Sequence, residues 1–278
     1  MTWRESWEDG NQGGGAQLSF PRITSAIKIL LLINAAVFVV NFFVFLSSES
    51  TLTPWLGLSL RTLEERPFLG LMNLITYQFT HSIDVWHILM NSLVLYFFGT
   101  MVEREYGPRQ LVRLYLLSGI AGGLFWLVFS GINGQAAVPV IGASGSAYGI
   151  LIYAAFMQPH ARVLLLILFV PLWAVAALFG FLALYETLIS LRIDTGGTAH
   201  AAHLGGAVFG ALWWKARPWL QQQRYKAQAR EKEKARGRER DEQQEIDRLL
   251  AKVKAEGMAS LSKSERKTLT RYSEKLKG

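Results

Sequence analysis

Residues 142–149 read GASGSAYG, set between the apolar runs AAVPVI (136–141) and ILIYAAFM (150–157). Two serines, a tyrosine and three glycines thus stand at the mouth of a segment apolar enough for a membrane. Small residues in such a segment let neighbouring helices approach closely. A hydroxyl in the same place is also a candidate nucleophile. Which reading holds depends on the rest of the chain.

Working outward, six apolar stretches approach the ~20 residues that a helix needs to cross a bilayer. They cover about 23–46, 85–102, 111–132, 137–157, 163–191 and 199–214. The expected fold class is therefore all-α, a polytopic membrane bundle of six helices with a helical tail. Charge is sparse between 21 and 214. Residues 215–278 hold 19 Lys and Arg against 10 Asp and Glu, about +9, which leaves −1 for the rest of a chain whose total is +8. The basic character belongs to the tail. With no cysteine, disulfides, thiolate metal sites and cysteine nucleophiles are excluded.

Lysine and arginine in short connections set orientation. Arg104, Arg109 and Arg113 lie between segments two and three, Arg162 lies between four and five, and the tail is basic. The 3–4 connection has no charge, and the 5–6 connection has only Arg192 and Asp194. A multi-pass protein of a bacterial plasma (inner) membrane, with both termini cytoplasmic, is the expectation. Segments two, four and six then start on the outer face, and the 1–2 connection rests on the membrane interface there.

Residues 1–20 are Gly-rich without an apolar core and read as a flexible leader, not a signal peptide. The transmembrane core is expected over 21–216, a charged linker or helix over 217–245 and a small helical hairpin over 246–278. In the hairpin Ile246, Leu249, Leu250 and Val253 share one face, and Leu269, Tyr272 and Leu276 share another. Gly257 breaks the first helix, and Ser262 with Glu265 forms a capping box for the second.

Few polar side chains fall inside the six segments, and such groups are functional candidates by default. Segment two carries His87 and Asn91 at i, i+4; segment four carries Ser144, Ser146 and Tyr148; segment six carries His200 and His203. His87, Ser144 and His203 all lie near segment starts, so three helices deliver them to one depth. Gly145 and Gly149 on segment four, with Gly206 and Gly210 on segment six, allow the two helices to close. That closure brings the Ser144 hydroxyl to His203 as nucleophile and general base. The Ser144 backbone N–H, the Asn91 amide and a His87 ring N–H are available for a developing oxyanion.

Taken singly these signals are weak. A serine in a Gly-rich membrane helix is most often a packing residue, and an interfacial histidine is most often an anchor. No third ligand accompanies His200 and His203, so no metal and no cofactor are expected. The aspartates (Asp9, Asp84, Asp194, Asp241 and Asp247) avoid the segment centres, against an aspartyl mechanism. Jointly the residues favour a serine–histidine hydrolase.

The stretches GASG around Ser144, HILMN (87–91), AHLGGAVFG around His203, YQFTHSIDVWH (77–87) and EREYG (103–107) are similar to the rhomboid intramembrane serine proteases over about 21–216. The resemblance implies a Ser144–His203 dyad without an acid. It implies an oxyanion hole lined by His87, Asn91 and Ser144, with Tyr148 packed on the His203 ring and Gly142 as first glycine of G-x-S-G. Substrates would be transmembrane helices of membrane-anchored proteins, entering sideways past segment five and cut near the outer face. The implied partners are such substrates and the lipid bilayer. A cytoplasmic partner of the tail is a further expectation, while interspersed acids in the tail argue against nucleic acid. The alternative is a catalytically silent rhomboid-like protein that binds membrane helices, which the intact Ser144 and His203 disfavour. A transporter would need midplane charges that the segments lack.

Overall fold

The computed structural model describes residues 21–165, 168–192 and 200–277. The expected leader at 1–20 lies outside them. Two compact units divide the chain, Met1–Lys215 and Ala216–Gly278.

In the first unit, α1 (Ser25–Ser48) is followed by three short helices, α2 (Thr53–Leu56), α3 (Leu60–Glu65) and α4 (Pro67–Thr76). The second span is α5 (Val85–Val94), a π-helical turn at Leu95–Gly99 and α6 (Thr100–Tyr106). Next come α7 (Pro108–Ile132), α8 (Ser144–Met157), the strands β1 (Arg162–Leu165) and β2 (Leu168–Pro171), α9 (Leu172–Ser190) and α10 (His200–Glu256). Ser25–Ser48, Val85–Tyr106, Pro108–Ile132 and Leu172–Ser190 are long and apolar enough to cross a membrane. With the shorter α8 and the apolar start of α10 they form an all-α membrane bundle.

Two expected segments begin later than their hydropathy suggests. The fourth starts at Ser144, not 137, because Pro139 lacks an N–H and Gly142 has a φ of +116°. The stretch before α8 runs extended instead. Leu58 and Val140 exchange backbone hydrogen bonds of 3.0 and 2.8 Å, and the Gly142 N–H donates to the Tyr77 carbonyl at 2.9 Å. The fifth starts at Leu172, not 163. Val163 pairs with Val170 and Arg162 with Pro171 in an antiparallel hairpin, and the residue before a proline is steered out of helical conformation.

α8 has 14 residues. At 1.5 Å per residue that is ~21 Å, short of the ~30 Å hydrocarbon layer. The extended stretch before Ser144 leads into this short helix.

The entry to α1 is held from another span. The buried Glu103 of α6 accepts from the backbone N–H groups of Ala26 (2.9 Å) and Ile27 (3.0 Å) and from the hydroxyls of Thr24 and Ser25. A helix start leaves its first N–H groups without intrahelical acceptors, and one carboxylate here takes two of them. This gives the EREYG stretch a structural reason.

In the second unit, α10 continues to Glu256 and ends where Gly257 turns with a φ of +80°. α11 (Lys263–Lys277) follows. The capping box forms as expected: the Ser262 N–H donates to Glu265 (2.8 Å) and the Glu265 N–H to the Ser262 hydroxyl (3.2 Å). The Ser262 N–H, with Lys252 beside it, holds the Glu265 carboxyl down at about 2. Ile246 and Leu249 are buried, and the Tyr272 hydroxyl donates to Gln243 at 2.8 Å. Leu250 departs from its expected face and is 53% exposed, since two packed helices cover only a narrow stripe. Residues 217–245 are part of the continuous helix α10.

Candidate active site

Ser144 is the first residue of α8, and its Oγ lies 2.7 Å from His203 Nε2 on α10. The glycines explain the approach. A Cβ on Gly206 would fall onto the Gly145 carbonyl, and one on Gly210 onto the Gly149 carbonyl. From the other side, a Cβ on Gly149 would lie 2.9 Å from the Gly206 carbonyl oxygen. The helices meet backbone to backbone, at a separation no side chain permits. The hydroxyl reaches the imidazole because of that contact.

The Tyr148 ring, one turn beyond Ser144, stacks on the His203 ring with centroids 4.5 Å apart and planes inclined by 4°. Phe179 of α9 meets the Tyr148 ring edge-on at 5.9 Å. The buried His203 Nδ1 has no hydrogen-bond partner among the described residues. Among the described residues, ring stacking and not an acid orients this imidazole.

His87 and Asn91 face the same space from α5. A Cβ on Gly142 would lie 2.6 Å from His87 Nε2 and 3.7 Å from Asn91 Nδ2. Glycine is required at 142 twice over, by its φ of +116° and by this crowding. Asn91 is buried, and its Nδ2 has no partner among the described residues. Two nitrogens thus converge beside Gly142, next to the Ser144 N–H at a helix start, where the dipole favours negative charge. A cavity of about 500 Å³ connects these groups and extends to Met90, Val94, Leu151 and Phe179. It is polar at Ser144 and apolar beyond, a shape that suits a peptide carbonyl followed by an apolar side chain.

The profile of the rhomboid domain matches residues 69–217, more than half of the chain. The chain belongs to the rhomboid family. Among its relatives, RHOMBOID-like protein 12, mitochondrial, of Arabidopsis thaliana is 34% identical over 52% of this chain and 46% of its own length. Rhomboid protein 1, mitochondrial, of Saccharomyces cerevisiae is 35% identical over 56% of this chain and 44% of its own. Presenilin-associated rhomboid-like protein, mitochondrial, of Rattus norvegicus is 32% identical over 49% and 35% respectively. The chain spans less than half the length of these curated relatives. Their names correct the expected bacterial plasma membrane, since all three are mitochondrial proteins. A family of unknown function (DUF6576) matches residues 231–275 in the tail.

Other polar residues around this rhomboid site escaped the sequence. Ser146 has no obvious role from its position, yet its hydroxyl donates to the Gln78 carbonyl oxygen at 3.1 Å. Gln78 in turn donates to the Leu74 carbonyl and receives the Tyr115 hydroxyl on its own backbone oxygen. Ser146 therefore ties α8 to the 1–2 connection. The buried His81 accepts the Ala143 N–H at 3.4 Å and meets the His87 ring edge-on at 5.1 Å. Burial, then the like charge of His87, holds the His81 imidazole down at about 4. His200, weighed from sequence only as a metal ligand, lies with its Nδ1 2.6 Å from a Glu186 carboxylate oxygen of α9, a close contact short of hydrogen-bond alignment. His81 stands in the YQFTHSIDVWH stretch and was within reach of the sequence. The partners of Ser146 and His200 were not.

Proposed function

We propose that this rhomboid is an intramembrane serine endopeptidase that cleaves transmembrane helices of membrane-anchored proteins near the membrane face where α5, α8 and α10 begin. The observation that carries the reading is the 2.7 Å contact between Ser144 Oγ and His203 Nε2. Ser144 attacks the scissile carbonyl carbon while its proton passes to His203 Nε2. The oxyanion so formed accepts hydrogen bonds from the Ser144 N–H, His87 Nε2 and Asn91 Nδ2. Collapse breaks the C–N bond, and His203 returns the proton to the leaving amine. Water, deprotonated by the same nitrogen, then hydrolyses the serine ester and restores the enzyme.

Access fits a membrane substrate. The apolar end of the cavity lies between α5 and α9 residues, so an unwound segment of a neighbouring helix would enter between those spans. The relatives' names favour a mitochondrial membrane as the setting. The test is labelling of the detergent-purified protein by a fluorophosphonate, together with cleavage of a model single-span substrate. Both are expected to vanish in Ser144→Ala and His203→Ala. Labelling that survives Ser144→Ala, or no cleavage by the wild type, overturns the reading.

A further inference from the structure

One contact beside the site takes no part in the reaction above. Ser82, in the connection between α4 and α5, places its Oγ 3.0 Å from His87 Nδ1. Both side chains line the cavity. Asp84 and the His81 Nε2 atom, the nearest alternatives, are engaged elsewhere. Asp84 caps α5 by accepting the Trp86 N–H at 3.0 Å, and His81 Nε2 accepts the Ala143 N–H.

A neutral imidazole carries one proton, on either nitrogen, and the partner of one nitrogen decides the role of the other. At His87 the choice has a chemical consequence. Nε2 is the atom crowded against Gly142, so only the tautomer with its proton on Nε2 can donate to an oxyanion there. That tautomer leaves Nδ1 as a bare acceptor, and a hydroxyl at 3.0 Å can fill it. Were the proton on Nδ1, the ring would donate to Ser82 and present a lone pair to a negative oxygen.

Building on the protease reading, we infer that Ser82 is a positioning residue that donates its hydroxyl proton to His87 Nδ1 and so fixes the donor tautomer of the oxyanion hole. In this role it acts through His87 and does not itself react. Its effect therefore falls on the transition state, where the oxyanion exists, and spares substrate binding.

Two measurements test this. In the first, kcat and KM are measured on a model single-span substrate for wild type, Ser82→Ala, Ser82→Thr, His87→Ala and the Ser82→Ala/His87→Ala pair. Ser82→Ala is expected to lower kcat about tenfold with KM unchanged, less than the ~100- to 1000-fold of losing a whole oxyanion donor. Ser82→Thr, which keeps the hydroxyl, restores the rate, and Ser82→Ala adds no loss in the His87→Ala background. An undiminished loss in that background marks a merely structural serine and overturns the inference. The second readout needs no turnover. Long-range proton–nitrogen spectra of ring-labelled histidine, with His87 assigned by its loss in His87→Ala, should show one Nε2-protonated tautomer in the wild type and a mixture in Ser82→Ala. An unchanged tautomer overturns the inference even in an active enzyme. A tautomer shift on Ser82→Ala together with a wild type that cleaves nothing counts against the protease reading and leaves the Ser82 contact standing.

Discussion

The Tyr148 and His203 rings lie nearly parallel, 4° apart in plane and 4.5 Å apart at their centres. With His203 Nδ1 unpartnered among the described residues, this face-to-face contact is what keeps Nε2 on Ser144. Displacement of a reacting group by ~1 Å can cost ~100-fold in rate. Tyr148→Ala is expected to lower kcat by about 10- to 100-fold, whereas Tyr148→Phe keeps the ring and stays within about threefold of wild type. Turnover of the two variants, with thermal unfolding in detergent as the folding control, checks this. Equal losses in both would show that the hydroxyl, not the ring, matters.

Gly206 meets the Gly145 carbonyl with no room for a methyl group. Gly206→Ala must push α10 away from α8, and overpacking of this kind costs about 1–3 kcal/mol or more. The expected outcome is a lower unfolding temperature and loss of fluorophosphonate labelling at Ser144. Gly237→Ala is the control, because a Cβ there meets nothing within 4 Å. A helical glycine replaced in open space gains about 0.5–1 kcal/mol. If Gly206→Ala behaves like Gly237→Ala, close packing is not what brings Ser144 to His203.

These two predictions concern what was legible in the sequence. The i, i+4 glycines and the segment starts carrying His87, Ser144 and His203 are local patterns, and helical geometry converts them directly into a shared face and a shared depth. Where the apolar run misled, the reason was also local. Hydropathy cannot separate an extended apolar stretch from a helix, so 137–143 and 163–171 read as membrane helix although Pro139, Gly142 and Pro171 break it. The partners of Ser146 and His200 were out of reach for a different reason. Gln78 is 68 residues from Ser146, and Glu186 lies on a different helix from His200. Only packing brings them together, and no spacing announces them.

Glu103 offers a test of how the first span is anchored. Glu103→Ala strands two backbone N–H groups and two hydroxyls at the start of α1. Unsatisfied donors cost about 1–3 kcal/mol each when buried, less where water reaches them. A total loss of about 3 kcal/mol is expected, read as a lower unfolding temperature. Glu103→Gln, which keeps one acceptor oxygen, should fall between. Activity below the transition should survive in both, because the cap is remote from Ser144. A Glu103→Ala variant as stable as wild type would mean that α1 needs no cap from α6.

His81 gives the pH dependence of the fold. Its imidazole is held down to about 4 from an ordinary 6.5, by burial first and then by His87. Between those values the unfolded chain binds a proton that the folded chain refuses, so stability rises with pH across the window and levels off above 6.5. Going down, stability falls from pH 6.5 towards 4. Protonation of Nε2 also removes the acceptor for the Ala143 N–H, which would loosen the backbone just before Ser144. Unfolding temperatures in detergent at pH 7, 6, 5 and 4.5 should therefore drop more steeply for wild type than for His81→Gln, whose amide does not titrate but can still accept from Ala143. Parallel curves for the two proteins would place the acid sensitivity elsewhere. A steeper curve for the variant would reverse the sign and contradict burial of a neutral His81.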